Sequence, residues 1–338
     1  MESFALDVLN PLVRGENLER VEASLALREI LEGRVDGVLI ASFLTAITIK
    51  GETVDEMTGF VDAMIACATT FSLDVDAIDI VGTGGDQLHS VNVSTMAAFV
   101  VAGCGAPVAK HGNRAASSSV GSADLLEALG VRIDAPVDVV RACILDAGFG
   151  FMFAPVFHTA LANLAPVRRS LRFRTIFNAL GPLANPALVR RSLIGVASTP
   201  LAEKMAEVLF RRGIDHAVLV SADDGLDELS LGGPSTLEFV TRDARTRERI
   251  DAGEEIGIHH NVTQLRGGDV DENVAVTRAF LAGQRGPVFD TVCANAALAL
   301  IVAGRATSLS DGFELACGSV LDGRAAQVLE RLVVVSNS

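Results

Sequence analysis

The chain has 338 residues, about half of them hydrophobic, a formal net charge of −14, and neither tryptophan nor tyrosine. That acidity excludes a polyanion-binding surface, which needs a basic face, and phenylalanine as the sole aromatic leaves few platforms for stacking nucleic-acid bases. Five widely spaced cysteines with no CxxC pair read as buried free thiols, not as a disulfide frame or a metal centre. The start Met1-Glu2-Ser3-Phe4 lacks the basic region of a signal peptide, and the longest nearly apolar run, Met96 to Ala109, is broken by glycines. These features lead us to expect a soluble, cytoplasmic protein without membrane or nucleic-acid partners.

Residues 1–72 read as a small all-helical domain. Val21, Leu25, Ile30 and Leu31 form a helical stripe that stops near Gly33, and Thr53-Val54-Asp55-Glu56 is a capping box ahead of Met57, Phe60, Met64 and Ile65. From residue 73 to 338 the pattern becomes α/β. Strands are expected near 78–82, 107–110, 131–133, 193–197 and 216–221, with helices between them. Such alternation predicts a mostly parallel central sheet with ligands outside the strand C-termini. Residues 158–186 interrupt it with a helix-like stretch and a proline-rich exit, an insertion able to return and complete the helical domain. The tail from about 270 is helical, with Ala294 to Ala303 as a buried helix.

The informative stretch is 79–129. It holds two units of one grammar: an apolar strand, a small polar loop, and a helix start. The first loop is Gly82-Thr83-Gly84-Gly85-Asp86, leading to a helix at Asn92-Val93-Ser94-Thr95. The second is Lys110-His111-Gly112-Asn113-Arg114, leading to a helix near Ser122. Glycines let backbone N–H groups approach a ligand, and a helix N-terminus adds unsatisfied donors, so each unit can bind an anion. No Asp or Glu occurs in the 37 residues from Gln87 to Ala123, where average density would place about five. Only three lysines occur in the chain, and Lys110 falls inside this window. The known nucleotide fingerprints fail. Gln87 stands where a dinucleotide motif needs glycine, and no GxxxxGK[ST] loop is present.

Further along, Asp227-Glu228 follows a strand and a turn at Asp223-Asp224-Gly225, and offers hard oxygen ligands for Mg²⁺ carried by a phosphorylated substrate. Arg168 and Arg169 are candidate partners for a substrate carboxylate. His158 reads more readily as a structural histidine than as a ligand. No Ser-His-Asp arrangement, nucleophile elbow or zinc signature appears.

Taken together, GTGGD at 82–86, NVST at 92–95, KHGNR at 110–114, GSAD at 121–124 and GLDE at 225–228 resemble the anthranilate phosphoribosyltransferase family, in that family's order. Phe153-Ala154-Pro155 and the run from Arg174 to Asn178 and on to Asn185-Pro186 match as well. The resemblance implies a helical domain joined to an α/β domain. It also implies transfer of phosphoribose from 5-phosphoribosyl 1-diphosphate (PRPP) to the amine of anthranilate, with Mg²⁺ as cofactor, and homodimers formed through the helical domain. It assigns Gly82, Gly85, Asp86, Ser90, Asn92, Val93, Ser94, Thr95, Lys110, His111, Gly112, Asn113, Arg114, Ser117, Ser118 and Ser122 to PRPP. Gly82, Asn113 and Arg168 go to anthranilate, and Ser94, Asp227 and Glu228 to magnesium. No covalent nucleophile is implied. Two departures stand out: Ser119-Val120 where many relatives carry lysine, and His158-Thr159 where they often carry His-Pro. A pyrimidine nucleoside phosphorylase is the nearest rival, although it lacks the KHGNR loop.

Overall fold

A computed structural model describes residues 2–84, 88, 90–115 and 120–338. After short helical turns over residues 2–13 come α1 (Arg20–Leu31), α2 (Gly37–Lys50) and α3 (Val54–Ala66). The Thr53 capping box forms: Thr53 Oγ1 accepts from Glu56 N at 3.2 Å, and Glu56 returns the bond to Thr53 N at 2.8 Å. The expected stripe on α1 is corrected. Its buried face is Ala23, Ala26, Leu27, Ile30 and Leu31, whereas Val21 and Leu25 are 69% and 57% exposed. Gly59 explains the shift, because a Cβ there would lie 2.2 Å from Arg20 O, so α1 and α3 meet backbone to backbone along the small-residue face.

The described residues form one seven-stranded sheet, ordered β3-β2-β1-β4-β5-β6-β7. Its strands are β1 (Ile78–Gly82), β2 (Val108–Gly112), β3 (Phe149–Phe153), β4 (Arg191–Gly195), β5 (His216–Ala222), β6 (Ser235–Thr241) and β7 (Arg245–Ile250). The first five are mutually parallel, and β6 pairs antiparallel with both β5 and β7. The strand expected at 131–133 does not form. Val131 N instead closes the preceding helix on Leu126 O at 3.0 Å, and Arg132 N donates to Ser336 Oγ at 3.1 Å. The third strand is Phe149–Phe153, whose second residue, Gly150, hides the β signal. A Cβ at Gly150 would meet Ile144 and Val140 O at 2.4 and 2.8 Å, so glycine is what lets the neighbouring helix pack there.

Helices cover both faces: α4 (Val93–Gly103), α5 (Ser122–Ala128), α6 (Val137–Asp146), α7 (Ala165–Leu171), α8 (Thr199–Arg211), α9 (Val270–Leu281), α10 (Pro287–Val302), α11 (Leu309–Leu321) and α12 (Arg324–Ser336). Successive strand residues feed opposite cores, as the two-residue period requires. Leu193, Val218 and Val220 join the core of α4, α10 and α11, while Ile194, Ala217 and Leu219 join the other. That second core is continuous with the N-terminal helices and takes in Leu164, Ile176, Phe177 and Leu180 from the 158–186 insertion. Asn163 Nδ2 ties the insertion to Leu31 O at 2.9 Å. Among the described residues, no helix is long and apolar enough to cross a membrane.

Candidate active site

The chain runs outward from β1 to β2 and β3, then returns to lay β4 on the other side of β1. Such a reversal opens a crevice at the strand C-termini, here between Gly82 and its register partner Gly195. Asp227 fills the floor of that crevice. Its Oδ2 accepts from Gly84 N at 2.7 Å. A Cβ on Gly82 would approach this carboxylate to 2.9 Å, and one on Gly195 would lie 1.7 Å from Asp227 O. Glycine at both strand ends is therefore what lets the Asp227-Glu228 turn enter.

Beside it, α4 presents its N-terminus. Asn92 occupies the N-cap without capping: its Nδ2 lies 3.4 Å from both Val120 O and Asn273 Oδ1. Among the described residues, buried Thr95 Oγ1 has no hydrogen-bond partner. An eleven-residue helix whose first turn has no side-chain cap keeps donors and positive potential for a bound anion. Ser90 is held in place by a bridge to Arg266, and Val91 N donates to Leu265 O at 2.9 Å.

Lys110 is not in the second loop but within β2, and it is buried. Its Nζ donates to Ile80 O and lies 3.3 Å from Ser94 Oγ. Burial draws the ammonium below its usual pKa range, while Asp79 and Glu228 pull it back. The same burial pushes Asp79 up to about 6. Next along the strand, His111 is held to about 3 by burial and by His158, whose ring lies 5.1 Å away. His111 Nδ1 sits 3.3 Å from Gly181 O, and its Nε2 is buried without a protein partner. His158 Nε2 binds Ala184 O at 2.9 Å, and burial lowers its pKa too.

The two units read as equivalent in the sequence are not equivalent. The seven-residue helix α5 is closed by its own Asp124, whose Oδ2 accepts from Gly121 N and Ala115 N at 3.0 Å each. Arg114 is spent the same way, on Asp124 Oδ1 at 2.9 Å and Glu127 Oε2 at 2.8 Å. Ser122 Oγ turns back to Asn113 O at 3.4 Å. Arg114 and Ser122 thus bond within the second loop and its helix, because the acid-free window ends one residue before Asp124. Gly112 and Asn113 remain at the loop entrance, with Asn113 exposed.

Arg168 lies on α7, half-buried over the Phe177 ring at 5.3 Å, with burial lowering its pKa. Among the described residues no carboxylate pairs with it, which leaves the guanidinium for an external anion. Arg174 Nη2 reaches Thr83 O at 3.4 Å and ties the insertion to the first loop. Gly85, Asp86, Ser117 and Ser118 lie outside the described residues. Sequence reading gave no role to Asp79 or Asn185, although a carboxylate inside the apolar run Ile78-Asp79-Ile80-Val81 was a usable signal.

The donor set suits a hard divalent ion. Ser94, Asp227 and Glu228 supply hydroxyl and carboxylate oxygens, and among the described residues Lys110 lies within electrostatic reach of two acids, Asp79 and Glu228.

Comparison with known proteins agrees with this geometry. Residues 6–68 match the helical bundle domain of a glycosyl transferase family and residues 74–326 match its a/b domain. The anthranilate phosphoribosyltransferase of Thermomicrobium roseum is 48% identical over 98% of this chain and 97% of its own length. The crystal structure of the Thermus thermophilus anthranilate phosphoribosyltransferase superposes with a TM-score of 0.91 at 40% identity, covering 98% of this chain and 100% of that one. The Saccharomyces cerevisiae enzyme in complex with PRPP and Mg gives 0.91 at 26% identity, covering 100% and 99%.

Proposed function

The chain belongs to the anthranilate phosphoribosyltransferase family, and on that premise we propose how its own residues perform the reaction. The enzyme transfers the phosphoribosyl group of PRPP to the amine of anthranilate and releases pyrophosphate, a step of tryptophan biosynthesis. The residue assignment rests on one observation: Ser94, Lys110 and the Asp227-Glu228 turn converge at the crevice between β1 and β4.

PRPP lies across this crevice. The uncapped first turn of α4, with Asn92, Val93, Ser94 and Thr95, faces its charged oxygens, and Gly82 allows close approach. Gly85, Asp86, Ser117 and Ser118 are assigned to PRPP on the family resemblance. His111 stays neutral throughout, so its Nε2 can meet a substrate atom without adding charge. Asp227, Glu228 and Ser94 hold Mg²⁺, which when bound neutralises negative charge on the leaving pyrophosphate. Arg168 takes the anthranilate carboxylate, with Asn113 and Gly82 flanking the ring. The aromatic amine is a nucleophile in its neutral form and attacks the ribose carbon directly, with no covalent enzyme intermediate. Alignment of the two substrates and stabilisation of the departing charge supply the acceleration.

We assign residues 1–72 and 158–186 to a helical domain and the remainder to the phosphoribosyl-binding domain, with the enzyme working in the cytoplasm. An apolar groove of about 710 Å³ lies away from the crevice, on the outer face of α2, lined by Leu12, Val13, Val38, Ala41 and Ile49. Val13, Val38 and Ile49 are each at least 75% exposed, and such an apolar patch fits pairing with a second copy of the chain. Mixing the protein with anthranilate, PRPP and Mg²⁺ tests the assignment: anthranilate fluorescence should fall only when all three accompany the enzyme. Turnover of thymidine with phosphate, and none of anthranilate, would replace this reading with the phosphorylase.

A further inference from the structure

Neighbouring parallel strands in this sheet pair along their length, with one exception. β1 pairs with β4 across five residues, and β2 with β3 across five, but β1 and β2 are registered only at Ile78↔Val108. Ile78 N donates to Pro107 O at 2.9 Å. Backbone groups alternate in direction along a strand, so the next rungs would run from Ile80 N to Ala109 O and from His111 N to Ile80 O. Side chains take those places. Ala109 O accepts from Asn185 Nδ2 at 2.9 Å, His111 N donates to Asp79 Oδ1 at 3.2 Å, and Ile80 O accepts from Lys110 Nζ. The wedge closes on itself, since Asn185 Nδ2 also donates to Asp79 Oδ2 at 2.8 Å and Asn185 Oδ1 accepts from Ala187 N at 2.8 Å.

We propose that Asp79 and Asn185 are positioning residues that hold the C-terminal ends of β1 and β2 apart, and so set the spacing of the two loops that grip PRPP. The inference rests on the PRPP assignment above and adds to it two residues that touch no substrate. Ala109 O, His111 N and Ile80 O, freed by the splay, each have a side-chain partner, so the opening is built into the fold. An unsupported gap would leave buried backbone groups unpaired, at a cost the chain avoids here. Asn185 comes from the exit of the 158–186 insertion, so the separation of the loops is fixed from the same segment that carries Arg168.

Asp79→Asn is nearly isosteric, keeps an acceptor for His111 N, and sets two amide groups against each other at the Asn185 contact. Asn185→Ala removes the wedge outright. Loops misplaced by about 1 Å can cost on the order of 100-fold in rate. With steady-state kinetics on both substrates, each variant should raise the KM for PRPP by about tenfold or more. The KM for anthranilate, anchored through its carboxylate by Arg168, should rise clearly less than that for PRPP, and the melting temperature of Asp79→Asn should stay within a few degrees. Folded variants with an unchanged PRPP KM, or with both KM values raised alike, would overturn the proposal. If Asn185→Ala does not fold, Asp79→Asn decides alone. Wild-type enzyme run in parallel separates the two failures, because absence of turnover there would sink the PRPP assignment and not the wedge.

Discussion

Two of the three lysines are buried among acids, and the two clusters differ in how their charges close. In the helical bundle, Lys50 Nζ donates to Asn17 Oδ1, Gly51 O and Glu56 Oε2 at 3.0, 2.8 and 2.8 Å, which uses all three of its hydrogens. Glu56, fully buried, also takes Leu18 N at 3.0 Å and Thr53 N at 2.8 Å. One cation meets one anion and every group is matched. At the sheet ends, Lys110 serves Ile80 O and Ser94 Oγ while lying within electrostatic reach of both Asp79 and Glu228. Among the described residues, two acids lie within electrostatic reach of that one base, next to a helix N-terminus without a side-chain cap. The first cluster balances itself and holds the fold; the second is the one assigned above to PRPP and Mg²⁺.

That contrast breaks most visibly if the acids assigned to the metal are neutralised. Asp227→Asn with Glu228→Gln should lower turnover at limiting Mg²⁺ by about 10³-fold or more, the scale of removing charge stabilisation from a leaving group, while circular dichroism stays native. Unchanged activity would take the pair out of the site. The closed cluster should respond the other way. Glu56→Ala strands a buried ammonium and should cost about 3 kcal/mol in urea unfolding, with both KM values unaltered. A large kinetic effect with little loss of stability would erase the distinction between the clusters.

The pH response sharpens the comparison. His111, held to about 3, refuses protons that the unfolded chain takes up near 6.5. Its contribution to stability is therefore complete above pH 6.5 and is lost as pH falls toward 3, about 2 kcal/mol between pH 7 and pH 5. Asp79, raised to about 6, opposes this by binding protons in the folded state between its unfolded value and pH 6. Urea midpoints for the wild type and His111→Gln at the two pH values isolate the histidine, and the variant should lose less. The smallest expected effect belongs to Arg168→Ala, about tenfold weaker anthranilate binding with PRPP affinity kept, as for one charge-assisted contact. Collapse of PRPP affinity instead would reassign that arginine.

Much of this was legible in the sequence because local rules acted alone. The Thr53 capping box, the glycine loop at 82–84 and the helix starts near Asn92 and Ser122 follow from short-range chemistry. What the sequence hid depends on distant partners. Lys110 reads as a loop residue, yet β2 extends through Gly112, and only Ile80 and Ser94 show where its ammonium points. Arg114 reads as a ligand in an acid-free window, but Asp124 and Glu127 stand just past the border. β7 was invisible because Arg245–Ile250 is mostly charged. Its arginines pair with Glu207, Glu238, Glu203 and Asp223, which protects an edge strand from pairing with another chain. The β1–β2 wedge could not be foreseen, since Asp79 and Asn185 lie more than 100 residues apart.

A crystal structure with PRPP and Mg²⁺ soaked in tests the central claim most directly. The account predicts diphosphate density at the first turn of α4, the metal ion against Asp227 and Glu228, and the sugar across the crevice at the C-terminal end of β1. Density elsewhere on the protein, with that crevice empty, would contradict it.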